Sequence, residues 1–408
     1  MTSREAALSV VDTLRKAGFE AWFAGGCVRD RLLGRQPGDH DVATNAIPDE
    51  VQRLFRRTIA VGKQFGVILV LVRDREIEVA TFRADSAYTD GRHPDAVTFS
   101  DMESDVRRRD FTINGMMEDP VDGRVIDLVG GQEDLRGRLI RAIGDPERRF
   151  EEDRLRMLRA ARFAAQLEFA VEPATLRAIA RHAAALSSVS RERIKEELDK
   201  LLGAPGAPEG LRLLRETGLL RAIVPALADL PEADWRRTVG ALSRMPRRPG
   251  PAALAALLHR LDPDPARNAA LAEAILRDLR ASNGERERVV WILARLDAAA
   301  RAAAMKPSEW KPLLAHPGAA ELLQVTRAVL EEDGGGSDGW ALLEERSRRD
   351  DLDPPRLIGG EDIMAMGVPK GPRIGELLAA VREAQLNGEI GNPGEARERV
   401  SRWIAGGI

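Results

Sequence analysis

Two aspartates one residue apart, Asp39 and Asp41, and a glycine pair, Gly25 and Gly26, share the stretch 25–44, GGCVRDRLLGRQPGDHDVAT. On a β-strand, residues i and i+2 point to one face, so a strand through both aspartates aims two carboxylates at one point, as a hard divalent cation requires. The glycines let backbone N–H groups close on a phosphate at a helix N-terminus, and Arg29 follows one turn later. Together these residues spell a site for a metal-bound triphosphate. Either piece alone is ordinary, since D-x-D occurs in many loops and a glycine pair before a helix is a common turn. Their conjunction in strand–turn–helix–turn–strand order carries the reading.

The elements that must position these groups are legible around them. Apolar residues at helical spacing over residues 4–17 (Ala7, Val10, Val11, Leu14), stopped by Gly18, predict a helix. A short strand over 20–24 delivers the chain to the glycines, and Pro48 opens a helix through Phe55. Two β-rich runs follow, 66–72 and 76–82, joined by a charged turn. This β-α-β-α-β-β order predicts a small mixed sheet with helices on one side. The second run reads EIEVATFR, with Glu76, Glu78, Ala80 and Phe82 on one face. If that strand neighbours the aspartates, Glu78 is the candidate third acidic group; the alternative is a solvated edge-strand glutamate.

Three further motifs follow in order: RRRDFTING (107–115), RFEEDRLRMLRAARFAA (149–165) and SRERIKEELDKLL (190–202). With GG-x-VRD-x-LLG and D-x-D-x-AT, this series resembles the bacterial tRNA nucleotidyltransferase and poly(A) polymerase family, class II, within the polymerase-β-like nucleotidyltransferases. The resemblance covers about the first half of the chain.

It implies an α+β fold: a small mixed-sheet nucleotidyltransferase head (1–145), then an all-helical neck for base recognition and RNA binding (146–204), a body with a degenerate HD-like region (205–330) and a tail that binds tRNA (340–408). It implies two Mg²⁺ ions on Asp39 and Asp41 and release of pyrophosphate, with Glu78, from its strand face, the candidate third ligand. Gly25, Gly26, Arg29 and Arg109 would hold the triphosphate, and Asp110 and Asn114 the sugar and its surroundings. Asp153, Arg156, Arg159 and Arg162 recur every three residues along a helix and follow a glutamate pair as the family's base-reading motif does. Cytosine and adenine both show an amine donor beside a ring-nitrogen acceptor, whereas uracil and guanine show a carbonyl beside an N–H. A carboxylate at Asp153 with a guanidinium at Arg156 therefore accepts C and A. It leaves U or G with unsatisfied groups costing about 1–3 kcal/mol each. Arg193 and Glu196 are expected to brace that helix, with Ser190 capping their own.

The implied activity is template-independent addition of C, C and A to the 3′ end of tRNA from CTP and ATP. The alternatives are an A-adding tRNA enzyme or poly(A) polymerase using ATP alone, and, in a second class, a catalytically silent RNA-binding protein. Residues 61–70, VGKQFGVILV, lack the basic run of bacterial poly(A) polymerases and favour CCA addition. The polar stretch 85–100 is expected to be a mobile loop, in which Arg92 and His93 either touch phosphate or are merely solvated. A corresponding element is associated in the family with adding the terminal A.

Composition sets the bounds. At 408 residues the chain has room for roughly two to four domains. A net charge of −3 provides no global basic field, so RNA contact must come from local clusters. With 4% aromatic residues, phosphate and shape contacts are expected rather than stacking platforms. The single cysteine, Cys27, excludes an internal disulfide and reads as a packing residue. No signal peptide or eighteen-residue apolar run is present, so a soluble cytoplasmic protein with no membrane partner is expected; its oligomeric state is left open. His259 is followed by Arg260, and His40, His93, His182 and His316 do not complete a metal set, so phosphohydrolase activity is not expected in the body. Residues 203–210, GAPGAPEG, and 331–339, EEDGGGSDG, read as connectors, and KGPRIG (370–375) is either a phosphate grip or a plain turn.

Overall fold

The first helix, α1 (Ser3–Lys16), forms where the apolar spacing places it and buries Ala6, Ala7, Val10, Val11 and Leu14. Its start is fixed by a reciprocal cap in which the Thr2 hydroxyl accepts from the Glu5 N–H and Glu5 accepts from the Thr2 N–H, worth about 1 kcal/mol. The computed structural model describes residues 1–85, 97–248, 250–335, 338–349 and 351–406. Arg92, His93 and most of the proposed loop lie outside the described residues, as do residues 336 and 337 of the second proposed connector.

After α1 come β1 (Ala21–Ala24), α2 (Gly26–Leu32), β2 (Asp41–Thr44), α3 (Pro48–Leu54), β3 (Thr58–Gly62), β4 (Val67–Val72) and β5 (Arg75–Thr81). A small hairpin, β6 (Arg83–Asp85) with β7 (Val97–Phe99), leads to α4 (Met102–Arg107), β8 (Met116–Glu118), β9 (Val125–Asp127), α5 (Gly131–Gly137) and β10 (Leu139–Ile140). The main sheet is mixed, in the order β3-β4-β5-β2-β1-β8-β9. Its β2–β5 pairing is parallel and the others are antiparallel. Alternation along β5 sends Ile77, Val79 and Thr81 into the core while Glu76 and Glu78 face the other way. Because β5 lies between β4 and β2, Glu78 is not on an edge strand, which removes that alternative.

From Pro146 the chain is mainly helical: α6 (Pro146–Glu152), α7 (Leu155–Leu167), a two-residue strand β11 (Ala170–Val171), α8 (Pro173–His182), α9 (Arg191–Leu202) and α10 (Ala207–Glu216). Residues 203–210 are not a linker. A Cβ on Gly206 would stand 2.8 Å from the Ala165 carbonyl oxygen, and one on Gly210 would stand 2.9 Å from the Ala165 Cβ. These glycines let α10 pack directly on α7.

The chain divides into two units, Met1–Asp229 and Leu230–Ile408. The second is built of helices, and its last three, Gly360–Ala365, Pro372–Leu386 and Pro393–Gly406, enclose a core of their own around Ile358, Ile363, Val381 and Val400. In this unit His259 lies within 2.8 Å of the Ala256 carbonyl, and burial pushes its pKa down to about 4. Arg260 pairs with Asp333 and lies 3.7 Å from Asp234. The residue after His259 is thus an arginine engaged with neighbouring carboxylates, where an HD pair would have an aspartate.

Candidate active site

Strand register assembles the acidic corner. Antiparallel β1–β2 pairing sets Ala24 against Asp41, and parallel β2–β5 pairing sets Val42 against Val79. One residue earlier on each strand, Asp41 and Glu78 stand side by side on the wall of one cleft. Burial, then Glu78 and Asp39, push the Asp41 pKa up to about 6 against the opposing charge of Arg109. Burial likewise raises Glu78, although its side chain reaches solvent, with Arg109 again opposing.

Asp39 departs from expectation, because β2 begins at Asp41 and Asp39 lies ahead of it, exposed and off the cleft lining. The β1–β2 ladder stops at the Ala24–Asp41 pair, where β1 gives way to Gly25 (φ +75°); just ahead of it the buried His40 ring stands edge-to-face on Phe23 at 5.3 Å and lies 3.1 Å from the Ser3 hydroxyl. Asp39 therefore bears on Asp41 through charge rather than through a shared strand face.

On the other side of the cleft, Gly25 (φ +75°) caps α2, and Gly26 is its first residue. The positive φ at Gly25 favours glycine, and a Cβ there would stand 3.2 Å from Arg109 Nη1 and press on it. Arg29 is buried, donating to Asn114 Oδ1 at 2.7 Å and pairing with Asp30. Arg109 lies at the end of α4, forked onto Asp105. Asp110 accepts from Arg159 (3.0 and 2.6 Å), Asn114 (3.0 Å) and the Phe111 N–H (2.7 Å). Burial opposes its charge, but these donors, Arg159 first, hold it down to about 2.

The base-reading row is also broken where one helix was expected. α6 ends at Glu152, Asp153 is extended (φ −139°, ψ 103°), and α7 starts afresh at Leu155. The Asp153 carboxylate accepts from the Leu155 N–H at 3.1 Å, so its side chain offers the backbone an alternative to a continued helix. Asp153 therefore stands at the break, where Arg193 pairs with it at 3.0 Å. Arg156 donates to Glu152 (2.7 Å) and to the Arg108 carbonyl (2.9 Å). Asp41, Glu78, Gly25, Gly26, Arg29, Arg109, Asp110, Asn114, Asp153, Arg156 and Arg159 all line the one cleft. Arg162 does not; it is held by Glu197 (2.7 Å) and Gln166 (2.8 Å), with its guanidinium 3.6 Å from the Phe163 ring centroid.

Sequence reasoning missed several supporting groups. The brace on α9 includes Glu197 rather than Glu196: Glu197 shares the buried face with Ile194 and Leu198, whereas Glu196 is exposed. Ser190 occupies the cap position of α9 without a side-chain capping bond. Asp105, buried beneath Arg108 and Arg109, was detectable as the acidic residue three and four positions before them on a helix. Phe163 read as packing, yet it lines the cleft with the guanidinium carbons of Arg29, Arg159 and Arg162 within 5.4 Å of its ring centroid.

Among the described residues, no group of three His, Cys, Asp or Glu side chains is arranged to hold a metal ion by itself. The acidic corner nevertheless suits Mg²⁺, which takes one or two carboxylates and completes its shell with water and substrate phosphates. Burial raises the pKa values of both Asp41 and Glu78, so a cation bound between their oxygens would offset a charge the site otherwise disfavours.

Residues 21–141 match the family described as "Poly A polymerase head domain", and residues 168–230 match "Probable RNA and SrmB- binding site of polymerase A". The CCA-adding enzyme of Geobacillus stearothermophilus is 36% identical over 408 residues, spanning 98% of this chain and 96% of the relative. That of Geobacillus thermodenitrificans is 38% identical over 412 residues, with the same coverage. The crystal structure of the Bacillus stearothermophilus CCA-adding enzyme in complex with CTP superposes with a TM-score of 0.85 at 33% identity, covering 100% of this chain and 98% of that one.

Proposed function

This chain belongs to the family of CCA-adding enzymes and poly(A) polymerases, and from that premise we propose how its residues carry out the family's chemistry. It adds C, C and A from CTP and ATP to the 3′ end of tRNA, without a nucleic-acid template, and releases pyrophosphate. The observation that carries this reading is a single cleft lined by an acidic corner, Asp41 with Glu78, by Arg109, and by the Asp153–Arg156 pair. Metal, triphosphate and base can all be addressed there at once.

The family uses a divalent cation, and we assign Mg²⁺ to Asp41 and Asp39, with Glu78 as the third carboxylate. Bound there, it supplies Lewis-acid polarisation of the phosphates and a lowered pKa for the primer 3′-hydroxyl. The residues of the chain do the rest. Gly25 and Gly26 admit the triphosphate against the backbone, while Arg29 and Arg109 fix its charge. Asp110 and Asn114, held by Arg159 and Arg29, shape the floor beneath the sugar. Asp153 accepts from the exocyclic amine of C or A, and Arg156 donates to the ring nitrogen. Arg159 orients this pair, and Arg162 stiffens α7 from outside the cleft. The hydroxyl then attacks the α-phosphate in line, and catalysis comes chiefly from positioning and charge stabilisation.

In the same reading, residues 1–145 are the catalytic head, 146–204 the base-recognising neck, 205–330 the body and 340–408 a tail that grips tRNA. No helix among the described residues is long and apolar enough to cross a membrane, and the cytoplasm is the proposed location. The test is incorporation into tRNAs trimmed before, within and after CC, with CTP and ATP supplied separately. CTP use on the first two substrates, followed by a single A, is the expected result. Incorporation of ATP alone onto any RNA end would replace CCA addition with polyadenylation.

A further inference from the structure

Asp105 carries no step of the reaction, yet its carboxylate is only 1% exposed and divides cleanly between two arginines of the cleft. Oδ1 accepts from Arg108 Nε (2.9 Å) and Nη2 (2.5 Å), and Oδ2 accepts from Arg109 Nε (3.2 Å) and Nη2 (2.9 Å). The fork leaves Arg109 Nη1 facing Gly25, 3.2 Å from where a Cβ would be. A lone arginine on a surface turn samples many rotamers, whereas a buried carboxylate gripping one edge of the guanidinium settles the choice before ligand arrives.

We propose that Asp105 is a positioning residue for nucleotidyl transfer, holding Arg109 in the orientation that meets the triphosphate of the incoming nucleotide. The proposal rests on the reading of Arg109 as a triphosphate contact. A carboxylate that merely stabilises the end of α4 would affect folding without acting through Arg109. One that positions Arg109 does its work only while Arg109 is there. The difference shows in a double-mutant cycle.

The experiment titrates CTP and CMP into the full-length protein by calorimetry, for the parent, R109A, D105N and the double variant, with thermal unfolding recorded for each. In the R109A variant, CTP affinity is expected to fall at least tenfold while CMP affinity stays within twofold. The D105N variant is expected to match that pattern, and the double variant to lose no more than R109A alone. An unchanged CTP-to-CMP ratio in D105N, or losses that multiply in the double variant, would overturn the proposal. If R109A itself keeps the parent ratio, Arg109 is not a triphosphate contact, and the premise fails along with the proposal. Should D105N not fold, Arg109→Lys gives a second route, because it keeps the charge but not the fork. A loss of CTP over CMP affinity equal to that of R109A is then expected, and the parent ratio in R109K would sink the idea.

Discussion

Asp41→Asn should make the metal-free protein more stable while abolishing nucleotide incorporation. Asp41 moves from 3.8 to about 6 in the folded chain, a shift of about 2 (6 − 3.8). At about 1.36 kcal/mol per unit, that is a ceiling of about 3 kcal/mol against the ionised form. The side chain is partly open to solvent, so screening lowers the figure to about 1–2 kcal/mol. A carboxyl with a raised folded pKa keeps its proton longer in the folded state than in the unfolded chain. Stability therefore falls as pH rises from about 4 to about 6, and the full penalty holds above that. Asparagine removes it. For a unit of this size the gain at pH 8 is about 3–6 °C in unfolding midpoint, vanishing near pH 4. Scanning calorimetry at the two pH values, with chelator and then with Mg²⁺, measures it. Mg²⁺ should raise the parent and leave the variant almost unmoved. A variant no more stable than the parent at pH 8, or equally favoured at pH 4, would refute the electrostatic argument.

Asp110→Asn removes the charge facing Arg159, which keeps Glu197 at 3.7 Å and is 32% exposed, and should cost about 1–2 kcal/mol, seen as a lower urea midpoint. The Asp110 pKa is lowered to about 2, so its contribution is full above about 4 and fades as pH falls towards 2; a parent–variant gap that persists at pH 2 would contradict the pairing. Gly25→Ala should lose about 1–3 kcal/mol from its sparsely populated backbone conformation (φ +75°, ψ −127°) and, by displacing Arg109, raise the KM for CTP; an unchanged KM would separate the two effects. Asp153→Ala should cut the kcat/KM preference for CTP over UTP by at least about fivefold, from the loss of a recognition bond worth about 1 kcal/mol or more. Equal discrimination in variant and parent would remove Asp153 from base recognition.

The helices and strands of the head were legible because their apolar periods were clean: α1, β1, α3, β4 and β5 fall within a residue or so of the predicted bounds. β3 and β8 were not. β3 is largely solvated and so carries little apolar alternation, while β8 is three residues long and follows directly on the RRRDFTING motif. At the site, residue types identified the participants but not how the backbone presents them. Two residues two apart were placed on one strand, but the end of the partner strand β1 at Ala24 decides where that strand begins. A three-residue period predicted one helix through Asp153, but a side chain able to satisfy its own backbone stopped it there. Asp105 and Glu197 were overlooked for a shared reason. Buried carboxylates that hold arginines look, in one dimension, like the acidic half of any helical surface pair.

The parallel pairing of β2 with β5 puts two acids from distant parts of the chain into one row. Were that alignment to slide by a single residue, the alternation of side chains would swing Glu78 to the opposite face and bring Ile77 or Val79 abreast of Asp41. Such a slipped head could keep most of its hydrogen bonds and much of its helical signal while being chemically inert. Preparations that look folded by circular dichroism yet add no nucleotide would be worth inspecting for that misalignment before any side chain is blamed.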